Sequence, residues 1–134
     1  MAETRWVNDR WGEMARELIG DDPALGVVRG SEARIAYLSS DANKKAHGKP
    51  VLGQCELVQP KMKWAVPFDF TVTLYENNVA GLDEERLRRV VFHELLHIGV
   101  DLDDDGNERY SIVPHDLEDF AECVDRWGRG WERS

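Results

Sequence analysis

The stretch VVFHELLHIGV, Val90 to Val100, places His93, Glu94 and His97 inside an otherwise apolar run. Polar groups in such surroundings cost free energy unless they find partners. On a helix, residues four apart lie about 40° apart around the axis and roughly 6 Å along it, so His93 and His97 can aim their imidazoles at one point. Glu94 lies about 100° round from His93. It therefore sits beside that point without being compelled to bind there.

Such a point can hold a divalent ion, and His-Glu-x-x-His is the spacing found in zinc-dependent peptidases. A catalytic zinc takes three protein ligands and keeps an open position, where it brings the pKa of a water to about 7. A neighbouring glutamate can take a proton from that water as it attacks a carbonyl and return it to the leaving amine. Two histidines leave the ligand set incomplete, so a third ligand is expected downstream. His115, in VPHDLEDF, is the preferred candidate. Glu118, Asp119 and Glu122 compete with it, since a carboxylate can also bind zinc. Asp116 is suited to capping the helix there or to accepting the free ring N–H of a ligand histidine. His47, in the polar segment AHGKP, reads as an exposed loop histidine.

Working outward, Asp83 can cap the amides of the motif's helix, with Glu84 and Glu85 at the positive end of its dipole. Gly99 is expected to end that helix, because glycine tolerates the left-handed cap conformation. Upstream, FDFTVTLY, Phe68 to Tyr75, alternates apolar side chains at 68, 70, 72 and 74 and reads as a strand with one buried face. LGQCELV, Leu52 to Val58, is a second strand weakened by Gly53, and ARIAYL, Ala33 to Leu38, a third. Between them lies a polar, lysine-rich loop through Lys49 and Pro50. Apolar residues from about Trp6 to Ile19 recur with helical spacing, and Gly20-Asp21-Asp22-Pro23 ends that helix. Asp103-Asp104-Asp105-Gly106-Asn107 reads as a hairpin turn into Arg109 to Val113. Asp101, Asp103, Asp105 and Gly106 also match the start of a calcium loop, but the twelfth position is Ile112 where a bidentate Glu is required. An acidic turn is the better reading. Pro114 to about Trp127 is expected as a last helix, and residues 128–134 as a frayed tail.

The 134 residues are expected to form one domain over 1–134, with 42% hydrophobic and 32% charged residues placing the chain among globular ones. A net charge of −9 argues against a broad grip on nucleic-acid phosphates. Lys44, Lys45, Lys49, Lys61 and Lys63 form a local basic group that reads first as a solvated loop. Cys55 and Cys123 suggest core residues in a reducing compartment, not a disulfide framework. No N-terminal leader and no membrane-length apolar run is visible, so the expected location is the cytoplasm, with no membrane partner.

FDFTVTLY, LRRVVFHELLHIGV, a hairpin and VPHDLEDF, from Phe68 through Phe120, together resemble the phage metallopeptidase family and are more distantly similar to SprT-like metallopeptidases. In the latter a histidine on the next helix, followed by a small or acidic residue and then a Phe, supplies the third ligand; His115, Asp116 and Phe120 would fill that pattern, with a slightly longer Phe spacing. The resemblance implies an α+β, minimal zincin-like fold: N-terminal helix, small three-stranded sheet, HExxH helix, short hairpin and C-terminal helix. It also implies a peptide or protein substrate. SprT-like proteins acting on DNA-bound substrates carry zinc-ribbon or DNA-binding segments that this chain lacks, so no nucleic-acid partner is expected. The combined expectation is a zinc metallopeptidase with one Zn2+ per chain on His93, His97 and His115, and Glu94 as general base. The alternative is a catalytically inactive metal-binding or interaction module on a peptidase scaffold. Tyr110, His47 and Tyr75 are the candidates for an electrophilic helper at the oxyanion.

Overall fold

Asn8, placed before an amphipathic run, decides where the first helix begins. In the computed structural model, which describes residues 2–115 and 126–127, its side-chain oxygen accepts from the Arg10 amide at 3.0 Å and caps α1, Asp9–Asp21. The residues just before it, Arg5–Val7, form strand β1 instead of continuing the helix as the periodicity had suggested. Trp6 and Val7 extend the apolar spacing by coincidence; a capping residue with extended backbone ends a helix whatever precedes it. The other end falls where expected, with Asp22 capping a short 3-10 turn that opens on Pro23.

A four-residue helix α2, Gly26–Arg29, leads to β2, Ile35–Ser40. The lysine-rich segment is not a plain loop: β3, Lys45–Ala46, and β4, Lys49–Pro50, form a small hairpin. Then come β5, Gly53–Leu57, β6, Phe70–Tyr75, and the short helix α3, Glu76–Val79. The motif helix is α4, Glu84–Leu95, followed by β7, Ile98–Leu102, and β8, Glu108–Ile112. The expected last helix falls largely on residues 116–125 and the tail on 128–134, so Asp116, Glu118, Asp119, Phe120, Glu122 and Cys123 lie outside the described residues.

The main sheet runs β1-β2-β6-β5, adding β1 to the three strands read from sequence. β2 and β6 are parallel, while the outer strands β1 and β5 are antiparallel to their neighbours. β6 is central, and its burial exceeds the one-faced expectation: Phe70, Val72 and Leu74 are inaccessible, but so are Thr73 and Tyr75 on the other face. Alternation marks which residues share a face; it cannot tell whether the second face is also covered.

One face packs beneath α1 and α4, joining Trp11, Met14 and Ala15 to Leu87, Val90, Val91, Phe92 and Leu95 in the core. Each large apolar side chain buried there contributes roughly 1.5–3 kcal/mol relative to exposure. α4 is thus anchored by its apolar face independently of any ligand. Cys55 is part of this core; burial pushes its thiol pKa well up, with the Glu94 carboxylate adding to the rise, so it stays protonated. Among the described residues no helix is long and apolar enough to cross a membrane.

Candidate metal centre

α4 starts as the sequence indicates, with the Asp83 carboxylate accepting from the Arg86 amide at 2.9 Å. It ends earlier. The helix stops at Leu95 with Leu96 as its C-cap, and Gly99 belongs to β7. His97 therefore stands just beyond the helix, in a tightened turn where its amide donates to the Glu94 carbonyl at 3.1 Å. Ile98 is buried, which commits the chain to turn into the hairpin at this point. Gly99 is required for a different reason from the one expected: a Cβ there would lie 2.5 Å from Ser111 Oγ and 3.1 Å from Val113 Cγ2. The glycine permits close approach of β7 and β8, not a helix cap.

The hairpin returns the chain to the motif. Its turn is closed by Asp103, whose carboxylate accepts from the amides of Asp105 at 2.9 Å and Asn107 at 2.8 Å. This is the hairpin turn that the run Asp103 to Asn107 indicated. Beyond β8, the Val113 amide donates to the His97 carbonyl at 2.6 Å, and the His97 ring is bonded through Nδ1 to the Val113 carbonyl at 2.7 Å. A carbonyl can only accept, so Nδ1 carries the proton and Nε2 keeps a lone pair for another partner.

Two residues later comes His115. Its Nε2 lies 3.0 Å from His93 Nε2, and the three rings of His93, His97 and His115 have centroids 4.6 to 5.3 Å apart. One ring nitrogen from each of the three lies within 4.8 Å of the others. Tetrahedral zinc with bonds of about 2.0 Å places its nitrogen ligands about 3.3 Å apart. The donor set fits a metal: three imidazoles suit zinc, copper, nickel or iron far better than calcium or magnesium. His93 and His97 are half-buried and His115 is exposed, so the group opens to solvent on one side.

Glu94 is only 5% exposed and its Oε1 lies 4.0 Å from His97 Nε2. What makes room for it is Gly53. A Cβ at that position would lie 3.1 Å from Glu94 Cγ and 3.3 Å from Oε2. Gly53 pairs with Leu74, so it faces the same side of the sheet as the core. The signal was present in the sequence, since glycine within a strand often marks close approach of another group. The Val113 carbonyl, by contrast, leaves no trace in residue type.

The other candidates have partners or places of their own. His47 sits at the tip of the β3–β4 hairpin and is not among the three histidines that could hold a metal. The Tyr75 hydroxyl donates to Gln54 at 2.8 Å and the Tyr110 hydroxyl to Glu108 at 2.5 Å.

A family model described as "Putative phage metallopeptidase" matches residues 6–134, and the chain belongs to that family. No curated protein and no solved structure matches it.

Proposed function

We propose that the chain, working as a single domain, is a zinc-dependent peptidase. His93, His97 and His115 would hold one zinc ion, and Glu94 would act as general base. The observation that carries this reading is the meeting of three imidazoles from a helix, a turn and a post-hairpin segment beside a buried carboxylate. A zinc ion held there would supply Lewis acidity, bringing the pKa of a coordinated water to about 7.

The remaining steps belong to the chain. Glu94, held between Gly53 and His97, takes the proton of the attacking water and delivers it to the departing amine. His97 is kept in one tautomer by the Val113 carbonyl, which also orients its ring. Among the described residues β5 pairs only with β6 within its sheet, so its outer edge can bond the main chain of an extended peptide laid beside Glu94. Recognition through backbone groups suits a peptide or protein substrate.

Replacing Glu94 by Gln keeps the shape and removes the base. Peptide hydrolysis should fall on the order of 10²–10⁴-fold, while elemental analysis still finds one zinc per chain. Hydrolysis by Glu94→Gln equal to that of the parent would sink the assignment.

A further inference from the structure

Residues 42–68 hold five lysines, Lys44, Lys45, Lys49, Lys61 and Lys63, and a single acid, Glu56, in a chain whose net charge is −9. Three of the five lie on or at the base of the β3–β4 hairpin. Its two-residue turn has positive φ at both positions, 52° at His47 and 76° at Gly48, the conformation that matches the twist of a two-stranded arm. Its base is tied down: Asn78 donates to the carbonyls of Lys44 at 3.0 Å and Val51 at 2.8 Å, and the Val51 amide donates to the Lys44 carbonyl at 3.0 Å. This is a braced arm and not a loose loop.

The lysines differ in their commitments. Lys44 reaches Gln54 and lies over the Tyr75 ring. Lys45, His47 and Lys49 are exposed, and among the described residues none of them is in an ion pair. Lys49 is four residues from Gly53, the glycine against which Glu94 packs, so chain geometry keeps the two within about 14 Å. An extended peptide advances roughly 3.3 Å per residue. A substrate whose reacting bond lies at Glu94 thus brings residues about four positions away level with the hairpin.

We propose that the β3–β4 hairpin is a specificity element, in which Lys45 and Lys49 select peptides carrying aspartate or glutamate a few residues from the bond presented to Glu94. This rests on the proposed function for where that bond lies. Acidic substrates would otherwise be repelled by the rest of this surface, so a local basic arm at the site is where selection can act.

The test uses zinc-loaded Glu94→Gln protein and two fluorescent peptides of equal length, one with three Glu flanking the centre and one with three Gln. The acidic peptide should bind about five- to tenfold more tightly, the scale of two exposed charge pairs, with the difference shrinking as salt is raised. Lys45→Glu/Lys49→Glu should abolish the preference and Lys45→Gln/Lys49→Gln should weaken it, whereas Lys61→Glu should keep it. Equal binding of the two peptides by the unaltered hairpin, or a preference that survives Lys45→Glu/Lys49→Glu, overturns the proposal. Because binding is read without turnover, the expected preference together with no hydrolysis by the native protein would support the hairpin's role while sinking the peptidase reading.

Discussion

The two halves of the proposed metal centre are held in different ways. His93 and Glu94 ride on α4, whose Val90, Val91 and Leu95 are locked into the core, so their positions follow from helix geometry and burial. His97 and His115 belong to no described helix; they are set by the β7–β8 hairpin, through the paired bonds between His97 and Val113 and the short run from Val113 to His115. The helical half is anchored by many apolar contacts. The hairpin half is anchored by the buried Ile98 and aimed by a few polar bonds, and damage to those bonds should show first in metal affinity.

Changing Gly99 to Ala attacks the hairpin half. The new Cβ would press on Ser111 and Val113 and shift the carbonyl that orients His97. Zinc affinity, measured by competition with a chelator, should drop roughly 10–100-fold, the usual cost of losing a supporting partner of a ligand. Unchanged affinity would mean that the hairpin merely leans on the site. The corresponding change in the helical half is Gly53→Ala, which crowds Glu94 and not the ligands. Since misplacement by 1 Å can cost about 10²-fold, a shift of a few tenths of an ångström should lower kcat about tenfold, with zinc content and KM retained. Loss of zinc in this variant would erase the distinction between the halves. Smallest is Asp83→Ala. Removing this cap should lower stability by about 1 kcal/mol in urea unfolding, yet leave zinc affinity and turnover as they are, because the core anchors the far end of α4.

Legibility followed the same division. Asp83, the α4 start, the β6 strand, the hairpin turn at Asp103 to Asn107 and the histidine-glutamate spacing are local patterns, and each was readable. The ends of elements were less so. Periodicity carried α1 back through Trp6 and α4 on to Gly99, whereas Asn8 stops the first and the buried Ile98 turns the second into a strand. The lysine hairpin was hidden because a two-residue turn at His47-Gly48 has few apolar neighbours to announce it. Gly53 reads from sequence only as a weak point in a strand, although it is the space into which Glu94 fits.

Sequence by itself determined which side chains can carry the chemistry: His93, Glu94 and His97 are so close along the chain that two imidazoles and one carboxylate stay within reach of one another, although His97 stands just past the helix end. Whether His115 joins them was a tertiary matter. That depends on the length and twist of the hairpin and on a backbone carbonyl at Val113, and backbone groups are the same in every residue, so no reading of side chains could have found them.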